Sequence, residues 1–307
     1  MCSPKKMNLM APAESMATAV NVIEAGADEI YLGLETPGLV NLNLSGRGRS
    51  CNAKDKAELV DIVTYAHDRG VLVDYTVNTP FMADTLEEMY IEHVMRGVDA
   101  GVDALIVGEF GALALVHELD LGIPIHASVL LNNFNRGQLE MLKGMGVAKV
   151  VLPFKITIDE IRQLSDLGIE LELFGQFGCS NINGTCHLIH NADESISLGL
   201  PCRANYRVSE DGRLHNILDA GTDCSLCSIG NLMDAGVSAL KVVGRCMNPE
   251  MIRTIIQTYR SAIDMVIDGA VPGEIKAWVL EEIPFWMMLC DQDRCKYLKT
   301  PINDSYI

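Results

Sequence analysis

No stretch of the 307-residue sequence stays apolar for the roughly 20 positions that a membrane-crossing helix needs; the longest runs, such as GVDALIVG and AKVVLPF, are far shorter. A spanning helix is therefore not expected. The opening MCSPKKMNLMAPAES has no apolar core of about 7–15 residues of the secretory kind, so a cytoplasmic location is expected. Massed basic residues are missing too. The 24 Lys and Arg are scattered among 41 Asp and Glu, and a formal net charge of −17 repels phosphate backbones. Nucleic acid is accordingly an unlikely partner, with only a local basic groove left open, and a small-molecule substrate is expected. No full GxGxxG and no P-loop lysine support a nucleotide-binding open sheet. The composition of a disordered chain is also absent: 49% hydrophobic and 21% charged residues are an ordinary globular balance.

What is abundant is cysteine, ten in all. In a reducing compartment structural disulfides are rare, so metal or cluster ligation becomes the chemistry to test.

A second abundance organises the chain. Seven times a helical pattern ends in Gly and a β-rich run follows: EAGADEIYLGL, DRGVLVDYTV, DAGVDALIVG, DLGIPIHAS, GMGVAKVVLPF, DLGIELELF and DAGVSALKVVG. Gly suits the left-handed residue after a helix, and Val/Ile/Leu-dense runs suit parallel strands buried on both faces. With MNLMAP as an opening strand the count reaches eight, near 7–11, 29–34, 71–77, 103–107, 123–128, 148–153, 170–174 and 239–243. Eight β/α units predict a closed (β/α)8 TIM-like barrel over residues 1–270, with a tail over 271–307 packing back on it. Gly168 and Gly236 lie 68 positions apart, so an insertion at about 175–235 separates strands seven and eight.

That insertion holds Cys179, Cys186, Cys202, Cys224 and Cys227, on the face where barrel enzymes carry their chemistry. Four thiolates suit zinc or an iron–sulfur cluster. Structural zinc sites usually draw on two tight pairs, whereas within the insertion only Cys224 and Cys227 are so spaced; long irregular intervals fit a [4Fe–4S] cluster better. Cys2, Cys51, Cys246, Cys290 and Cys295 read as structural, with a second role left open for the last two.

The segments LMAPAES, AGADEIYLG, VNTPF, AGVDALIVG, IPIHAS, VAKVVLP, CSNINGTC and DAGVSALKVVGR together resemble the collagenase-like peptidases of unclassified peptidase family U 32, from about residue 8 to 265. Relatives in that family include oxygen-independent hydroxylases of ubiquinone biosynthesis and proteins that hydroxylate ribosomal or transfer RNA. The resemblance implies an anaerobic hydroxylase (an oxidoreductase) with a [4Fe–4S] cluster and prephenate as oxygen donor. It also implies Cys179, Cys186 and Cys202 as ligands, with Cys224 or Cys227 as the fourth and Cys224 preferred. A peptidase and a non-catalytic cluster-bearing subunit are the alternatives, and a heterodimer with a paralogous family member is the partner it suggests. Gly184-Thr185-Cys186 and Val243-Gly244-Arg245 depart from the family's usual wording, so the substrate is not carried over from its best-known members.

Other candidates lie at predicted strand ends. Arg47 and Arg49, beside Gly46 and Gly48, suit bidentate grip of a carboxylate-rich donor or a solvated loop. His126 suits a proton shuttle or a satisfied core histidine. Asn78, Thr79, Ser128, Lys241 and Arg245 stand where side chains enter a barrel mouth, and His187 and His190 follow the second cysteine. Glu172 on strand seven is either outward-facing or functional, because an inward carboxylate is costly unless paired.

Overall fold

A computed structural model describes residues 6–36, 39, 51–79, 82–153, 155–176, 206–207, 214–215, 224–244, 247–288, 290 and 295–297. The strands are β1 (Asn8–Pro12), β2 (Glu29–Leu32), β3 (Leu72–Thr76), β4 (Ala104–Val107), β5 (Ile125–Ala127), β6 (Val147–Val151), β7 (Glu170–Gln176), β8 (Tyr206–Arg207), β9 (Leu214–His215) and β10 (Ala239–Val242). Eight of them close in the order β1-β10-β7-β6-β5-β4-β3-β2, every pairing parallel, while β8 and β9 form a separate antiparallel pair between β7 and β10. This is the (β/α)8 TIM-like barrel the glycine punctuation predicts, with the insertion after β7.

The helices are α1 (Met16–Glu24), α2 (Lys56–His67), α3 (Glu87–Asp99), α4 (Phe110–Glu118), α5 (Arg136–Gly144), α6 (Ile158–Leu164), α7 (Ile229–Asp234), α8 (Pro249–Ile267) and α9 (Pro272–Glu282). Side-chain caps set their starts. Ser15, Asp55, Glu109, Asn135, Thr157 and Asn248 each accept a backbone N–H of the first turn, and Thr157 with Glu160 completes a capping box. The seven punctuating glycines, Gly26, Gly70, Gly101, Gly122, Gly146, Gly168 and Gly236, all take positive φ between 64° and 100°. At Gly236 a second reason adds to the first: a Cβ there would lie 2.7 Å from that of Ser165, so the turn into β10 has no room for a side chain.

Apolar burial lies mainly between strands and helices. One continuous cluster gathers Leu9, Ile30, Val73, Leu105, Val150 and Leu173 from the strands with Leu59, Leu113, Leu139, Ile161, Ile256 and Ile263 from the helices. At the inward-facing positions a separate small apolar cluster joins Met10, Tyr31 and Ile106. Charged side chains share this interior with apolar ones such as Val151 and Phe174, unlike the layers of branched apolar side chains usual in such barrels.

Candidate active site

Strand register places charged side chains inside the barrel. Tyr31 pairs with Asp74, Ile106 with His126, His126 with Lys149, and Lys241 with Met10, so one side-chain parity runs round the interior. Glu29, Asp74, His126, Lys149, Glu172 and Lys241 are all buried. Lys149 pairs with Glu29 and stands 4.0 Å from Glu172, while Lys241 is 3.1 Å from Glu172. Asn8 Nδ2 donates to the other oxygen of Glu29 at 2.6 Å. Lys241 also lies 4.2 Å from the centre of the Tyr31 ring, a cation–π contact. Glu172 thus faces inward, and the two lysines answer the cost that the sequence raised.

Nearer the mouth, His126 Nδ1 and Asp74 Oδ2 are 2.7 Å apart. Burial pushes the Asp74 carboxyl up, but the His126 ring, and beyond it Lys149 and Lys241, outweigh burial and hold it below 3.8. An ionised Asp74 only accepts, so Nδ1–H of His126 donates to it and Nε2 is left for proton exchange. Burial opposes the charge on Lys149, yet Glu172, Glu29 and Asp74 together keep it above the ordinary lysine range. Glu29, burdened by burial and by the neighbouring carboxylates, is raised above 4.5 in spite of Lys149.

Asn78, past the end of β3, is buried and its Oδ1 has no hydrogen-bond partner. A buried amide oxygen without a donor is unusual and suits a ligand N–H at this end of the barrel. Ser128 caps the short turn Val129–Leu131 after β5, and Asn133 Nδ2 ties Ser128 O (3.0 Å) to Val151 O (3.1 Å), fixing the ends of β5 and β6. At the end of β7, Tyr259 of α8 donates its hydroxyl to Gly175 O, and Gln176 forms an antiparallel bridge with Cys224.

Cys224 therefore sits beside the end of β7, and Cys227 follows it by three positions. They share a small cavity with Cys290 and Cys295, lined also by Lys276 and Trp286. All four are thiols. Burial raises Cys224, although Trp286 Nε1–H donates to its Sγ at 3.3 Å, and burial with the neighbouring thiols raises Cys227 to about 11. Sequence spacing had set Cys290 and Cys295 apart as structural; the fold brings them to the insertion's own tight pair. Two pairs distant by more than 60 residues carry no local signal that they meet, and only the tail's path reveals it. Cys51, also read as structural, is buried and disulfide-bonded.

Of the remaining sequence candidates, Arg47, Arg49, Arg245, Cys179, Cys186, Cys202, His187 and His190 lie outside the described residues. Asp74, Glu29 and Lys149 were not singled out in the sequence. The signal was there: each is a charged residue inside a short run that otherwise reads as buried strand.

Comparison with known proteins places this geometry. A model of peptidase family U32 matches residues 14–284. A 23S rRNA 5-hydroxycytidine synthase of Escherichia coli (strain K12) is 31% identical over 280 residues, covering 87% of this chain and 40% of its own length. A collagenase of Porphyromonas gingivalis (strain ATCC BAA-308 / W83) is 26% identical, covering 87% of this chain and 67% of its own. The tRNA hydroxylation protein P2 of Bacillus subtilis (strain 168) is 24% identical, covering 89% and 90%. A solved U32 peptidase shares the fold, with a TM-score of 0.50 at 10% identity over 80% of this chain and 95% of that one. The expectation against nucleic acid is not supported by these relatives, two of which are named for forming 5-hydroxycytidine in 23S rRNA and for tRNA hydroxylation. Net charge describes a whole surface, whereas reading one unstacked base needs only local contacts. Among the described residues no helix is long and apolar enough to cross a membrane.

Proposed function

The chain belongs to peptidase family U32, and on that premise we propose that it is an iron–sulfur enzyme of the oxygen-independent hydroxylase kind, acting on a base of ribosomal or transfer RNA. The observation that carries this reading is the buried Asp74–His126 pair inside a charged barrel, in a chain 31% identical to an rRNA hydroxycytidine synthase across 87% of its length. The full activity and substrate of that longer relative, of which this chain spans 40%, are part of the proposal.

A [4Fe–4S] cluster would be held by Cys179, Cys186 and Cys202, with Cys224 or Cys227 as the fourth thiolate the family resemblance implies. Cys224 supports this reading: it is a thiol beside the C-terminal end of β7, bridged to Gln176, which stands three positions before Cys179 in the sequence. Such a cluster supplies electron transfer when bound. The chain's own residues do the rest. Asp74 fixes the tautomer of His126, so that Nε2 takes or returns the proton that accompanies hydroxylation. Asn78 Oδ1 offers an acceptor to an exocyclic amine of the base. The oxygen donor suggested by the resemblance, prephenate, carries two carboxylates, and Lys241, with Arg47, Arg49 and Arg245 as further candidates, supplies positive charge for it.

The test is nucleoside mass spectrometry of RNA from anaerobically grown cells with and without the gene. One modified nucleoside should lose the mass of an oxygen atom, and His126→Gln or Asp74→Asn should restore it poorly, with rates down about 10²–10⁴-fold as for a lost general acid–base. An unchanged nucleoside profile sinks the RNA reading. A peptidase reading is favoured by the collagenase similarity; gelatin cleavage by purified protein that persists in Cys179→Ser would replace the hydroxylase with it.

A further inference from the structure

Five of the chain's seven phenylalanines stand within seven positions after a barrel strand: Phe81 after β3, Phe110 after β4, Phe134 after β5, Phe154 after β6 and Phe177 after β7. In this fold such loops rim the face that carries the chemistry. Phe81, Phe154 and Phe177 lie outside the described residues. Phe110 and Phe134 are each 40% exposed, whereas Phe174 within β7 is buried. Single exposed apolar side chains are ordinary on any surface. Two phenylalanines at the starts of consecutive helices, on the strand ends that carry Asp74 and His126 and the strand between them, are a narrower observation.

The loops that carry them touch. A Cβ at Gly108, directly after β4, would lie 2.7 Å from Asn78 Oδ1 and 2.9 Å from Leu130 Cδ1, so the segments after β3, β4 and β5 close on this glycine. Gln138 of α5 braces the second loop: its Oε1 accepts Phe134 N–H at 3.1 Å and its Nε2 donates to Leu131 O at 2.9 Å. A turn already held in place costs little further ordering when a ligand binds. The start of α4 is closed to a phosphate, because the Glu109 carboxylate accepts Ala112 N–H there at 2.8 Å. With a net charge of −17 as well, the part of a polynucleotide that this rim suits is the neutral, flat base.

We propose that Phe110 and Phe134 stack against unpaired bases flanking the one presented to His126, so that the chain grips single-stranded RNA by its bases more than by its phosphates. This rests on the RNA reading above and adds to it how the strand is held. Every base has an apolar face, so stacking of this kind tolerates sequence, and the choice of base is left to the groups inside the mouth.

Fluorescence anisotropy of a labelled single-stranded oligocytidylate of about ten nucleotides with the purified chain tests it. Phe110→Ala and Phe134→Ala should each bind about 5- to 100-fold more weakly, the range for losing one stacked base, while Phe110→Trp and Phe134→Trp should bind like wild type. The slope of affinity against salt should be the same in all of them, since stacking releases no counterions. Should an alanine variant fail to fold, wild-type protein answers instead: the same oligonucleotide with abasic sugars should bind about 10-fold more weakly or worse. Unchanged affinity in both alanine variants, a shallower salt slope in them, full binding of the abasic strand, or no binding by wild type overturns the stacking surface. So does competition by gelatin that the two substitutions abolish, which would assign the rim to a peptide. The RNA reading fails separately: it falls if deleting the gene leaves every nucleoside unchanged, whereas a lost nucleoside that the alanine variants restore in full sinks the stacking alone.

Discussion

Two buried polar regions of this protein solve opposite problems. Inside the barrel, three carboxylates face two lysines and a histidine, and every charge has an opposite charge within 4.0 Å. At the end of β7, four thiols gather around a cavity with one indole N–H and a lysine at its wall. The first region is complete in itself. Its groups are paired with one another, which suits a scaffold that presents His126. The second is a group of thiols with no such network of opposite charges among the described residues.

The largest expected effect comes from breaking the first region's self-sufficiency. Lys149→Met leaves Glu29 and Glu172 buried with a counter-charge removed, and urea unfolding at neutral pH should show a loss of about 3–5 kcal/mol. Adding Glu29→Gln to that variant should return part of it, because an uncharged partner no longer needs Lys149. Additive losses in the double variant would mean the network is three independent contacts.

A buried titratable group without a counter-charge should behave differently, and His93 provides it. Its Nδ1 lies 2.8 Å from Thr36 Oγ1 and 3.1 Å from the Tyr75 hydroxyl, in the layer between β3 and α3. Burial lowers it from 6.5 to about 4. The unfolded chain therefore takes up a proton that the folded chain refuses. Stability is full above pH 6.5 and falls as pH drops toward 4, by about 3 kcal/mol at about 1.4 kcal/mol per unit. The Asp74 contribution, by contrast, is present above 3.8 and is lost only below that, as its depressed value requires. Thermal unfolding of His93→Gln across pH 7 to 4 should lack this component; an unaltered slope would assign the loss elsewhere.

The two regions were also unequally legible. The barrel followed from seven glycines that the structure finds at positive φ, because a helix end that needs a left-handed residue is written in one position of sequence. Glu172 and His126 were recognisable as anomalies in buried strands, and their partners Lys149 and Asp74 needed the register between strands, which short runs do not specify. The meeting of Cys290 and Cys295 with Cys224 and Cys227 was not readable, since it depends on α9 and the turn at Trp286 leading the chain back over β7. Composition spoke against nucleic acid, and relatives named for RNA hydroxylation do not support that expectation: a charge of −17 averages over a surface.

The smallest of these effects bears most directly on whether the cysteine region needs a ligand. Trp286→Phe keeps an aromatic ring beside Tyr259 and Phe285, whose centres lie 6.2 and 5.3 Å from the indole, and removes only the N–H donated to Cys224. In chain stripped of metal, that bond to a neutral thiol is worth about 1 kcal/mol or less in thermal unfolding. In chain loaded with the proposed cluster the same N–H meets a thiolate, and chelator competition should report iron held about 10–100-fold more weakly, the usual cost of losing a donor behind a metal ligand. An equal, small change in both states would mean that Trp286 merely packs.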